Sequence, residues 1–204
     1  MNEKKNLTTK ETFDLAVKNH QKNNLQVAEN LYEEILKRNP NHVDAHNNLG
    51  IIFQALGEFH KARNCYEKVI QIRPDAYAAY YNLGLVFKEL GELQEAINCF
   101  QKVIQIQPDR VEDAHVNLGL VFKELEEYQK AISCYEKAIQ IDPNSAGAHV
   151  NLGLVFKELV EYQKAITCYE KAIQIDPNYA DAYYNLGSIF VILKKFNEAI
   201  KIYQ

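Results

Sequence analysis

The chain has 204 residues, 47% of them apolar and 11% aromatic, which is enough to bury a continuous core in one or two domains. Its 23 Lys and Arg stand against 27 Asp and Glu, and a net charge of −4 provides no basic field for a nucleic-acid backbone or an anionic lipid surface. The opening MNEKKNLTTK is polar with no apolar core behind it, and no run approaches the ~18 apolar residues needed to cross a bilayer. The expectation is a cytoplasmic protein, with no nucleic acid bound and no membrane insertion.

The first predicted element opens at Thr8 and Glu11, spaced as a helix capping box, and starts a unit at 9–42 that carries Leu15, Ala16, Ala28, Tyr32 and Pro40. Its pattern returns at 43–76, 77–111, 112–145 and 146–179, and incompletely at 180–204. Gly50, Gly84, Gly119, Gly153 and Gly187 mark the later units at separations of 34, 35, 34 and 34. A leucine precedes each glycine, at Leu49, Leu83, Leu118, Leu152 and Leu186. Phe53, Phe87, Phe122, Phe156 and Phe190 follow three later, and Ala62, Ala96, Ala131, Ala165 and Ala199 twelve later. An aromatic comes sixteen later at Tyr66, Phe100, Tyr135, Tyr169 and Tyr203, and Pro74, Pro108, Pro143 and Pro177 close the complete units.

Apolar residues recur at three and four within each half of a unit and a break separates the halves, so each unit reads as two antiparallel helices. Glycine and the later alanine lack bulk where the helices cross, which lets the axes approach closely. Proline then ends the second helix, because it cannot continue the hydrogen-bond ladder. The turn inside the hairpin uses Gly57 and Gly91 in two units but Glu126, Val160 and Lys194 in later ones. A left-handed backbone is costly for β-branched Val160, and the sequence offers no account of it. One extra residue enters at PDRVEDA, in the 77–111 unit, between helices where insertion is cheapest. Residues 114–144 and 148–178 differ only at Glu126/Val160 and Ser133/Thr167, as expected of a duplication under little pressure for separate chemistry in each unit.

This 34-residue order of small, aromatic and proline positions closely resembles the tetratricopeptide repeat, the TPR, along nearly the whole chain. The resemblance implies an all-α solenoid of antiparallel helix pairs forming a right-handed superhelix, in one TPR domain over 1–204. It also implies a concave groove lined by the first helix of each hairpin. Asn48, Asn82, Asn117, Asn151 and Asn185, two residues before each marker glycine, fall on that side and resemble the family's peptide-holding asparagines. A carboxamide offers both a donor and an acceptor to the N–H and C=O of an extended chain. First helices about 10 Å apart would give one rung for about every three extended residues. Asparagine is also common here in idealised repeats, so the series reads equally as part of the fold pattern.

Beside the asparagines lie Asn47, Tyr81, Val116, Val150 and Tyr184 one residue before, and Ile51, Leu85, Leu120 and Leu154 three after. They form either an apolar contact row or packing between neighbouring first helices. Lys88, Lys123 and Lys157, each followed by Glu, read as a rim around it. Asp44, Ala78, Asp113, Gly147 and Asp181 occupy the positions where a carboxylate clamp needs Lys or Arg, which disfavours the C-terminal tails of chaperones.

No phosphate-cradling loop, zinc-protease motif or nucleophile elbow is present in the sequence, so no catalytic residue, metal or cofactor is assigned. His46, His115 and His149 share a repeat position with Tyr80 and Tyr183, which points to packing. Cys65, Cys99, Cys134 and Cys168, spaced 34, 35 and 34, are too even for a disulfide framework and read as small buried residues. The expectation is a non-catalytic scaffold that binds an extended segment of a partner protein. Two alternatives stand beside it: the substrate-recruiting arm of a larger enzyme, similar to the TPR arm of an O-linked N-acetylglucosamine transferase, and a structural repeat that self-associates through an uncapped C-terminal unit.

Overall fold

The computed structural model describes residues 7–108 and 111–203. Among these the chain forms twelve α-helices and no strand. Asp109 and Arg110, within the PDRVEDA segment that carries the extra residue, lie outside the described residues.

The chain divides into two compact units, Met1–Ile106 and Gln107–Gln204. The first holds three hairpins: α1 (Thr9–Gln21) with α2 (Leu25–Arg38), α3 (Val43–Ala55) with α4 (Phe59–Ile72), and α5 (Tyr77–Glu89) with α6 (Leu93–Ile106). The second holds α7 (Glu112–Glu124) with α8 (Tyr128–Ile141), α9 (Ala146–Glu158) with α10 (Tyr162–Ile175), and α11 (Ala180–Ile192) with α12 (Phe196–Tyr203). Within each unit the second helix of one hairpin packs on the first helix of the next, α2 on α3 and α4 on α5, then α8 on α9 and α10 on α11. First helices also touch one another: α3 meets α5, and α9 lies between α7 and α11.

The marker glycines sit at the helix crossings. A Cβ added to Gly119 would lie 2.7 Å from Cε1 of Tyr135, and one added to Gly50 would lie 2.6 Å from Cε1 of Tyr66. Each aromatic ring of the second helix therefore fills the space that the glycine of the first leaves open, and a larger residue there would overpack the crossing. Ala62, Ala96, Ala131 and Ala165 are fully buried on the partner helices.

Helix ends follow local chemistry. Thr8 caps α1 by the predicted box: its Oγ1 accepts from the Glu11 N–H at 3.2 Å, and its own N–H donates to Glu11 Oε2 at 2.8 Å. Ser145 Oγ accepts from the Ala148 N–H at 3.3 Å to cap α9, and donates to Glu112 Oε1 on α7 at 2.6 Å, joining two first helices. Each tight turn has a left-handed residue: Asn23 at φ 61°, Gly57 and Gly91 at 73°, Glu126 at 58°, Val160 at 62°, Lys194 at 59°. The turn at Val160 is a Schellman cap, in which the Glu161 N–H donates to the Phe156 carbonyl at 2.8 Å and the Val160 N–H to the Lys157 carbonyl at 3.0 Å. Val160 is 64% exposed, so its side chain leaves for solvent and the strain is confined to its backbone.

Cations cover four of the phenylalanines that follow the glycines. Lys61, Lys130 and Lys164 place Nζ 5.0, 5.2 and 5.1 Å from the ring centres of Phe53, Phe122 and Phe156, each inside its own hairpin. Arg63 on α4 instead reaches the next hairpin, 5.1 Å from the ring of Phe87, and pairs with Glu92 at 3.2 Å.

Candidate functional site

The five asparagines stand on the first helices, all half-buried, and their environments differ. In the first unit, Asn48 on α3 donates from Nδ2 to the hydroxyl of Tyr32 on α2 at 3.0 Å. Asn82 on α5 has no hydrogen-bond partner among the described residues. In the second unit, Asn117 bends back to donate to the Asp113 carbonyl at 2.9 Å, and Asn185 does the same to Asp181 at 2.8 Å. Asn185 also accepts from Lys157 Nζ at 3.5 Å. Asn151, on the central helix α9, has no partner among the described residues.

The row beside the ladder is uneven. Tyr184 is 66% exposed, Ile51 is exposed, and Asn47, Tyr81, Val116, Leu85, Leu120 and Leu154 are half-buried. The Tyr81 ring packs edge-on to Phe100 at 5.9 Å. Val150 is the buried member of the row at 5% exposure, on α9, which packs against both α7 and α11. Lys88, Lys123 and Lys157 are half-buried. Lys157 reaches from α9 to α11, donating to Ser188 Oγ at 3.1 Å as well as to Asn185.

Two histidines do more than fill space. Nε2 of His46 lies 2.8 Å from the Pro40 carbonyl, and Nε2 of His149 lies 3.3 Å from the Pro143 carbonyl, so each ring fastens the first helix to the turn before it. Burial holds His115 and His149 below the ordinary histidine range, with Lys137 adding to the effect at His115 and Lys171 at His149. Burial raises the thiols of Cys65, Cys134 and Cys168 to about 11 and that of Cys99 to about 12, which keeps them protonated at neutral pH. Among the described residues no cluster of three or more His, Cys, Asp or Glu could hold a metal, and no helix is long and apolar enough to cross a membrane.

Sequence reasoning missed the Tyr32 hydroxyl as a partner of the ladder, and the hydroxyl of its equivalent Tyr66 donates instead to Gln54 Oε1 at 3.1 Å. The signal was available: Tyr32, Tyr66, Tyr135 and Tyr169 each stand sixteen residues before a ladder asparagine.

Antiparallel hairpins with small residues at each crossing and a repeated amide on the first helix define an α-helical repeat protein. Family models described as "Tetratricopeptide repeat" match residues 75–144, residues 31–64 and 134–167, and residues 180–204, and one described as "TPR repeat" matches 52–91 and 161–191. The chain belongs to the tetratricopeptide repeat family. No curated protein sequence matches it. Among solved structures it is similar to that of MamA, at 29% identity and TM-score 0.76, with 81% of this chain and 96% of that chain covered. It shares its fold with PilF of Pseudomonas aeruginosa (20% identity, TM-score 0.79, 95% and 88% covered). It also shares it with YrrB, described as a TPR protein with an unusual peptide-binding site (20% identity, TM-score 0.74, 87% and 91% covered).

Proposed function

We propose that this protein is a non-catalytic interaction scaffold whose first-helix faces receive an extended segment of a partner protein, and that it works in the cytoplasm. The observation that carries the reading is the row of half-buried carboxamides on first helices that lie side by side, Asn48 and Asn82 in one unit, and Asn117, Asn151 and Asn185 in the other. A half-buried amide keeps part of its hydrogen-bonding capacity for the main chain of a ligand. Exposed Tyr184 and Ile51 beside the row favour a segment with some apolar side chains. The description of YrrB as peptide-binding is consistent with this use of the fold.

The test is titration against disulfide-reduced, alkylated ribonuclease A, an unfolded basic chain that the net charge of −4 does not repel. Asn117→Ala with Asn151→Ala should weaken binding several-fold, since a neutral hydrogen bond contributes about 1 kcal/mol. Unchanged affinity would reject the ladder.

A second reading has its own observation: Ile200 on α12 is 55% exposed, while its repeat equivalent Ile166 is buried, and Phe196 and Tyr203 beside it are exposed too. This apolar side would pair with a second copy. Sedimentation at several concentrations decides the matter, and a monomer throughout would remove it.

A further inference from the structure

Two tyrosines in the second unit carry hydroxyls that the fold does not use. Tyr135 on α8 and Tyr169 on α10 are 0% exposed, and neither hydroxyl has a hydrogen-bond partner. Burying an unpaired hydroxyl is unfavourable, so its presence at two repeat positions calls for a reason. Packing does not supply one. Phe100 occupies the same repeat position on α6, fully buried, and meets the added Cβ of Gly84 at 2.8 Å just as Tyr135 meets that of Gly119 at 2.7 Å. A ring without oxygen fits this crossing equally well.

The first unit shows two uses of the oxygen. The Tyr66 hydroxyl donates to Gln54 Oε1 in its own hairpin at 3.1 Å, where the second unit has Lys123 and Lys157, which cannot accept. The Tyr32 hydroxyl accepts from Asn48 Nδ2, sixteen residues on and one helix away. Tyr135 bears the same relation to Asn151, as Tyr169 does to Asn185, and α8 packs on α9 as α10 does on α11. Both of these pairs are open: Asn151 has no partner among the described residues, and Asn185 is folded back on the Asp181 carbonyl. An unpaired buried hydroxyl and a ladder amide thus stand in the register of a bond that is closed elsewhere in the chain.

We propose that Tyr135 and Tyr169 are positioning residues for the ladder: when a ligand backbone occupies the second unit's face, Asn151 and Asn185 turn Nδ2 to these hydroxyls, as Asn48 does to Tyr32. A carboxamide pinned by one N–H keeps its oxygen and its other N–H for the ligand. The idea rests on the ladder reading above and adds what orients it. Closing the bond also relieves the unpaired hydroxyl, so part of the stabilisation appears only in the bound state.

The test replaces both residues, Tyr135→Phe and Tyr169→Phe, in the full chain, with reduced, alkylated ribonuclease A as probe. The free variant should melt no lower than the parent, because Phe100 shows that the crossing accepts phenylalanine. Its affinity should fall about two- to tenfold. Adding Asn151→Ala and Asn185→Ala should cost no more than those two alanines cost alone, because the tyrosines act through the asparagines. In side-chain amide spectra, the probe should shift the Asn151 and Asn185 signals in the parent and less in the phenylalanine variant. A lowered melting temperature, unchanged affinity, or losses that simply add would each overturn the proposal while leaving the ladder standing. If the alanines alone leave binding unchanged, the ladder falls and this proposal with it.

Discussion

Val160→Gly should make the protein more stable. Val160 holds φ at 62° in the Schellman cap of α9, a region where a Cβ-bearing residue costs ~1–2 kcal/mol. Both bonds of the cap come from backbone N–H groups, which glycine retains, and a side chain 64% exposed surrenders little buried surface. The greater freedom of glycine in the unfolded chain takes back ~0.5–1 kcal/mol. The net gain is about 1 kcal/mol, or about 2–4 °C in melting temperature for a chain of this size. Thermal and urea unfolding measure it, with Val160→Ala as the control. Alanine keeps the Cβ and should recover only a small part. If Val160→Ala stabilises as much as Val160→Gly, or if glycine destabilises, backbone strain is not the operative quantity.

Three further outcomes follow from the packing and the charges. Gly119→Ala places a Cβ 2.7 Å from Cε1 of Tyr135 and should destabilise by ~1–3 kcal/mol in urea unfolding. Ser145→Ala removes the cap of α9 and the bond to Glu112, and should cost ~1–2 kcal/mol by the same measurement. Burial depresses the folded-state pKa of His115 and His149 below the ordinary 6.5, so the unfolded chain takes up these protons first as pH falls. Stability from these two residues is complete above that value and is lost as pH drops through the folded pKa; His115→Gln with His149→Gln should flatten urea-unfolding stability across that window.

The helices and their crossings were legible because a 34-residue period repeats the same physical problem. Glycine opposite an aromatic sixteen residues later, alanine on the facing helix and proline after it state a hairpin several times over, and the structure places Gly119 against Tyr135 accordingly. The left-handed turn was legible from Gly57 and Gly91, and Glu126, Val160 and Lys194 adopt it against their own preference because the surrounding hairpin dictates it. What a repeat pattern cannot state is how equivalent residues differ. Val150 and Val116 occupy one position, yet Val150 is buried and Val116 half-buried. Asn48 and Asn185 likewise share a position, and their amides point to different partners, Tyr32 in one case and the Asp181 carbonyl in the other. Lys157 reaches Ser188 because that position, where other units carry Leu or Ile, gives it an oxygen.

Side-chain amide resonances of the five ladder asparagines, followed while reduced, alkylated ribonuclease A is added to the labelled protein, test the central claim most directly. The account predicts that the signals of Asn48, Asn82, Asn117, Asn151 and Asn185 move as the complex forms, while those of Asn64 and Asn98 on the second helices stay in place. Binding that shifts the second-helix signals and leaves the ladder still would contradict it.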